Sequence, residues 1–306
     1  MSRAKELTKQ LLRQFVDSFD TILFDCDGVL WQSNDVISKT PALIAKLRDM
    51  GKQPLFVTNN STKSRRQYME KFAKLGFKVS ENEIFCTAYL AAIYLRNILN
   101  FQGKAYLIGS PGMQEEFKLF DINYTGTGPD PVAGEVEDWV KIPLDPEIKA
   151  VVIGQDVQFS YKKILLAATY IRDRTVSFVA TDHEGRHPHG AAKIVEPGTG
   201  SIVSAVETAA GRDALVLGKP HKFMVDLIKE KFTLEPRRTV MVGDRLNTDI
   251  QLGKNADLHT LLVLTGVSKL SDVDSNLESS DPTDRECIPD YYIESLTKLT
   301  EYLSDF

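Results

Sequence analysis

The chain has 306 residues, 42% hydrophobic and 26% charged, a composition that suits a soluble folded protein with room for two domains. A net charge of −5 argues against a nucleic-acid or anionic-membrane surface, and no apolar run approaches the ~20 residues needed to span a bilayer. Cys26, Cys86 and Cys287 lack metal-ligand spacing and fit a reducing compartment, cytoplasmic or nuclear.

At the N-terminus, Leu7, Leu11, Leu12 and Phe15 with basic residues between them predict an amphipathic surface helix, and Glu6 and Asp17 weaken its likeness to a presequence. Thr21-Ile22-Leu23-Phe24 then reads as a buried strand that breaks into Asp25-Cys26-Asp27-Gly28. Residues two apart on a strand face the same way, so Asp25 and Asp27 can share a small site, around which Gly28 lets the backbone turn closely. Two such anions need a cation or a proton, and a hard cation such as Mg²⁺ suits their oxygens. One carboxylate can then serve as nucleophile and the other as acid and base. A solvated turn or a calcium-loop fragment remains an alternative at this point.

Thr40-Pro41 starts a helix carrying Leu43, Ile44 and Leu47, and Gly51 stops it. The strand Pro54–Val57 follows and ends in Thr58-Asn59-Asn60-Ser61-Thr62. Strand, helix and strand form a βαβ unit, hence a parallel sheet, whose ligands bind beyond the carboxyl ends of the strands. Thr58 to Thr62 can hold phosphate oxygens or can simply cap the helix that Ser64 begins. Glu83–Thr87 reads as a strand and Leu90–Leu99 as a helix.

From about Phe101 the pattern restarts with strands at Ala105–Ile108, Ala150–Ile153 and Val176–Ala180, a helix at Tyr161–Arg172, and a surface loop at Thr125–Pro146. This block reads as an inserted second domain. Its glycines match neither a dinucleotide fingerprint nor a phosphate-binding Walker loop. Ala214–Leu217 resumes the first pattern and runs into Gly218-Lys219-Pro220, where Lys219 is either held near the strand ends or solvated. Thr239–Val242 runs into Gly243-Asp244-Arg245-Leu246-Asn247-Thr248-Asp249, repeating the opening logic of strand, glycine and acid. After the strand Leu261–Leu264, the segment Ser268–Arg285 reads as a polar excursion.

Asp25-x-Asp27-Gly28, Thr58-Asn59-Asn60, Gly218-Lys219-Pro220 and Gly243-Asp244-Arg245-x-Asn247-Thr248-Asp249 resemble, in order, the four signature motifs of the haloacid-dehalogenase superfamily. The wording is that of its phosphatases with a large α/β cap. Pro197–Gly200 and Val206–Arg212 are similar to the phosphoglycolate and pyridoxal phosphatase subfamily, most of all to its fungal 4-nitrophenylphosphatases. The resemblance implies an α/β fold: a Rossmann-like parallel-sheet core, residues 1–100 and 213–306, with an inserted α/β cap, residues 101–212. It also implies a Mg²⁺-dependent phosphomonoesterase of small metabolites, 2-phosphoglycolate first, with pyridoxal phosphate or an aspartate-based protein phosphatase activity as the alternatives, and caps of this type often pair into homodimers.

By the same resemblance Asp25 is the nucleophile that becomes an aspartyl-phosphate, and Asp27 protonates the leaving alcohol and then activates water. Thr58, Asn59 and Lys219 would hold the phosphoryl oxygens, and Asn60 the loop and the substrate. Mg²⁺ would be bound by Asp25, the backbone carbonyl of Asp27, and Asp244, with Asn247 and Asp249 behind them. In the cap, His187 would contact substrate. Arg186, standing where the subfamily has an aromatic residue, argues against pyridoxal phosphate and for a second negative charge, as in 2-phosphoglycolate. His183, His187 and His189 lie close in sequence without the spacing of a zinc site. A large cap disfavours protein substrates, and the intact acidic and lysine motifs argue against a silent scaffold.

Overall fold

A computed structural model describes residues 4–130, 134–187 and 194–304. The chain divides into two compact units, one of residues 1–58, 68–85 and 219–306, the other of residues 59–67 and 86–218.

The first unit is built on a seven-stranded sheet. Its order is Lys5–Glu6, Tyr291–Ile293, His259–Val263, Thr239–Gly243, Thr21–Phe24, Gln53–Thr58 and Ile84–Cys86. The pairings that join the first six strands are parallel. Thr21–Phe24 and Thr239–Gly243 are buried at every residue, as expected of central strands covered on both faces. Their register, Thr239 beside Thr21 and Thr21 beside Gln53, brings the carboxyl ends of three neighbouring strands level. Asp25, Asp244 and Thr58 therefore stand on one rim.

The second unit has its own parallel sheet, in the order Leu215–Val216, Ser177–Ala180, Ile148–Ile153, Lys104–Ile108 and Asn123–Thr125. Val151, Ile153 and Phe178 from the sheet share a core with Ala167 and Ile171 and with Ile202, Val203 and Val206 of the helix Thr199–Ala210. Ser160 caps the helix Tyr161–Tyr170 by accepting from the Lys163 amide, and Gly211 closes the helix Thr199–Ala210 in the left-handed region. Arg65 joins this unit through a buried pair with Glu116, and Ser61 through its hydroxyl, which accepts from the Gln155 amide at 3.0 Å. These contacts explain why residues 59–67, read from sequence as part of the first domain, group with the insertion.

Some local readings change. The N-terminal helix is confined to Leu12–Asp17, because Lys5–Glu6 pairs as an edge strand and the Leu7 amide donates to Tyr292 O. Ser268–Arg285 contains the helix Leu270–Glu278, whose Val273 packs with Leu246 and Ile250. The helix read at Leu90–Leu99 is an α-helix at Thr87–Ile93 that widens to a π-helical turn at Tyr94–Ile98. The loop Thr125–Pro146 holds a short helix, Val136–Trp139. Among the described residues, no helix is long and apolar enough to cross a membrane.

Candidate active site

Asp25 follows the last residue of its strand, and its amide donates to Val242 O of the neighbouring strand at 2.9 Å. That bond fixes the backbone of Asp25 beside the strand that delivers Asp244. Asp249 lies on the π-helical turn Leu246–Ile250, five residues past Asp244, and its Oδ2 accepts from the Arg245 amide at 3.1 Å. Asp25, Asp244 and Asp249 are all buried, and each offers an oxygen within 4.8 Å of the others.

Glycines make room for this trio. A Cβ on Gly28 would lie 2.6 Å from Asp244 Oδ2, and one on Gly266 would lie 1.9 Å from the same atom. A Cβ on Gly243 would stand 2.1 Å from the Asp249 Cβ. Gly28 also needs its positive φ of 87°, the region that glycine enters freely. The Val267 amide donates to Asp244 Oδ2 at 2.8 Å, and the Ser268 amide donates to Asp244 O at 2.9 Å.

Lys219 supplies the positive charge. Its Nζ lies 2.6 Å from Asp25 Oδ1 and 2.7 Å from Asp249 Oδ1. Burial opposes the Lys219 charge, but Asp249 and Asp25 outweigh it and hold its pKa above the ordinary range. Desolvation raises the Asp25 carboxyl well above its usual range; Asp249 and Asp244 add to that rise, and Lys219 opposes it. Burial, with repulsion from Asp249, pushes Asp244 up to about 7. One ammonium cannot neutralise three buried carboxylates, and the donors are all oxygen. This set fits a hard divalent cation, which would relieve the repulsion.

Asp27 is placed differently. Its side chain is 44% exposed, and its carboxylate lies outside the buried trio. Its Oδ1 accepts from Trp31 Nε1 at 2.8 Å and has the Lys71 ammonium 3.7 Å away. Thr58 is buried at the end of its strand. Asn247 is exposed, with no hydrogen bond to the trio, so it stands apart from the residues that the structure gathers.

Asn59, Asn60 and His187 belong to the second unit. Asn59 Nδ2 donates to Glu184 Oε1 at 2.9 Å, and Thr87 Oγ1 donates to Asn59 O at 2.5 Å. Asn60 Oδ1 accepts from the Thr62 amide and hydroxyl at 2.8 and 2.6 Å, the side-chain turn that asparagine commonly makes. His187 sits half-buried on the two-residue strand Arg186–His187, paired antiparallel with Glu196–Pro197. His183 Nε2 lies 3.0 Å from Glu207 Oε2, and His189 lies outside the described residues.

Residues 22–123 match the haloacid dehalogenase-like hydrolase family model, and residues 216–299 match a HAD-hydrolase-like model. Glycerol-3-phosphate phosphatase of Gallus gallus is 41% identical over 306 residues, covering 99% of this chain and 98% of the relative. The chain belongs to the haloacid dehalogenase-like hydrolases. Chronophin of Homo sapiens is 38% identical, with all of both chains covered. The p-nitrophenyl phosphatase structure of Archaeoglobus fulgidus superposes with a TM-score of 0.76 at 26% identity, over 93% of this chain and 99% of that one.

The motif resemblance is thus borne out at the level of the family, and the activity is that of a phosphoric monoester hydrolase. Within this hydrolase, sequence reasoning missed Gly266 and the pair Trp31 and Lys71. Gly266 lies outside all four motifs, and an aromatic residue after a buried loop reads as core.

Proposed function

We propose that the chain hydrolyses phosphate monoesters of small metabolites, with Asp25 attacking phosphorus and Asp27 protonating the leaving alcohol. The observation that carries this reading is Lys219, whose ammonium touches both Asp25 and Asp249 beside a third buried carboxylate, Asp244. Phosphoryl transfer depends on positioning and on positive charge around the equatorial oxygens. Mg²⁺, held by Asp25, Asp244 and the backbone carbonyl of Asp27, supplies much of that charge when bound. Lys219 supplies the rest and, with Thr58, orients the phosphoryl oxygens. Asp249 anchors the ammonium. In the second half of the reaction Asp27, now a carboxylate, takes a proton from the water that attacks phospho-Asp25.

The relatives named for glycerol 3-phosphate, at about two-fifths identity over almost the entire chain, favour a three-carbon alkyl phosphate as substrate. Arg186 supports a second reading, 2-phosphoglycolate, because the exposed guanidinium is a cation able to pair with a substrate carboxylate.

The test is phosphate release, with Mg²⁺ and with EDTA, from glycerol 3-phosphate, 2-phosphoglycolate, pyridoxal phosphate, 4-nitrophenyl phosphate and a phosphopeptide, compared as kcat/KM. Mg²⁺-dependent release with glycerol 3-phosphate highest supports the first reading, and 2-phosphoglycolate highest supports the second. Preference for the phosphopeptide, or no release from any of the five, overturns the small-metabolite proposal.

A further inference from the structure

The loop after Asp25 is closed on itself. The Leu30 and Trp31 amides donate to Cys26 O at 2.9 and 3.3 Å, and the Gly28 amide donates to Trp31 O at 2.7 Å. Trp31 is fully buried, with Phe72 edge-on to its ring at 4.9 Å and 72° and Phe77 at 6.1 Å and 78°. An aromatic ring clasped on two sides and tied through its backbone has little freedom to turn. Its one polar atom, Nε1, is directed at Asp27 Oδ1, 2.8 Å away. The Lys71 ammonium lies 4.2 Å from the Trp31 ring centroid and 3.7 Å from the same Oδ1.

We propose that Trp31 is a positioning residue for the proton transfer by Asp27, and the proposal rests on the acid role assigned to Asp27 above. An indole N–H only donates, so the oxygen it binds must accept. Oδ1 is therefore engaged as a hydrogen-bond acceptor, flanked by two donors. Among the described residues, Oδ2 accepts no hydrogen bond, which leaves it to carry the transferable proton. The step balances. As the bond from Asp25 to phosphorus forms and the phosphorus bond to the leaving oxygen breaks, the proton moves from Asp27 Oδ2 to that oxygen. When water attacks phospho-Asp25, its proton returns to Asp27 and the bond between Asp25 and phosphorus breaks.

Leaving-group dependence tests this. A nitrophenolate departs readily without a proton, whereas an unsubstituted phenolate needs one, so impaired proton delivery slows phenyl phosphate more than 4-nitrophenyl phosphate. Trp31→Phe keeps the ring and removes the donor. The ratio of kcat/KM for 4-nitrophenyl phosphate to that for phenyl phosphate should rise about tenfold, the size of effect expected for one hydrogen bond to a reacting group. Loss of folded enzyme lowers both values alike and leaves the ratio unchanged, so partial instability of the variant does not blur the result. Asp27→Asn is the companion measurement. A raised ratio in both variants supports the proposal. A raised ratio in Asp27→Asn alone overturns the role of Trp31 and leaves the acid standing. An unchanged ratio in Asp27→Asn removes the acid assignment, and the role of Trp31 falls with it.

Discussion

Lys219 is buried, and its ammonium lies 2.7 Å from Asp249 Oδ1. The same ammonium lies 2.6 Å from Asp25 Oδ1, so Asp249 decides how tightly the nucleophile is paired. In Asp249→Asn the counter-charge is gone, and Lys219 would turn fully onto Asp25. We expect kcat for 4-nitrophenyl phosphate to fall on the order of a hundredfold, with a smaller change in KM. Steady-state kinetics on the purified variant check this, and a wild-type kcat would refute the anchoring role.

Gly266 gives a second expectation. A methyl group there would meet Asp244 Oδ2 at 1.9 Å, so the carboxylate must move. Gly266→Ala should raise the Mg²⁺ concentration for half-maximal phosphate release by at least about tenfold, as displaced ligand supports commonly do. A titration of activity against Mg²⁺ reads the shift directly, and an unchanged midpoint would mean that Asp244 is not a ligand.

The Arg65 guanidinium donates to Glu116 from Nε at 3.2 Å and from Nη2 at 3.1 Å, and lies 3.8 Å above the Tyr89 ring. Both partners are buried. Arg65→Met leaves Glu116 charged without its partner and should cost about 3–5 kcal/mol. Adding Glu116→Leu should restore most of that. Urea unfolding of both variants tests it, and equal stability of the single and double variants would argue against a charge penalty.

Asp182 sets a pH dependence in the second unit. Its Oδ1 accepts from the Glu184 amide at 3.1 Å, and burial, with repulsion from Glu184, pushes its pKa from 3.8 up to about 7. The folded chain therefore keeps a proton that the unfolded chain releases near 4. This contribution to stability is present at acid pH and is lost as pH rises through about 7. Asp182→Asn should raise the thermal midpoint at about pH 8 and change it little at about pH 4. A constant difference across that range would show that Asp182 does not titrate there.

Much of the site could be read from the sequence, for a physical reason. Buried strands running into Asp25 and Asp244 place acids on one rim of a parallel sheet without any knowledge of distant contacts. Ser64 as the start of a helix was equally legible, and its Oγ does accept from the Gln67 amide at 3.2 Å. What stayed hidden depends on chain segments far apart. Nothing local announces that Gly266 abuts Asp244, or that Lys71 lies over Trp31. Lys5–Glu6 becomes strand only because Tyr291–Ile293 offers it an edge. Asn60 illustrates the opposite limit, since its residue type suits both phosphate binding and a turn, and its side chain makes the turn.

The path of the chain between its two units bears on how such hydrolases can exchange parts. The boundary is passed at four places, between 58 and 59, 67 and 68, 85 and 86, and 218 and 219. A chimera that imported a foreign block for residues 86–218 alone would separate Glu116 from Arg65, which sits on the short first visit. Recombination of this chain must therefore move two sequence blocks together, or rebuild an apolar contact where the ion pair was. The second unit is not a cassette: it leaves with both of its sequence blocks, or the buried pair is lost.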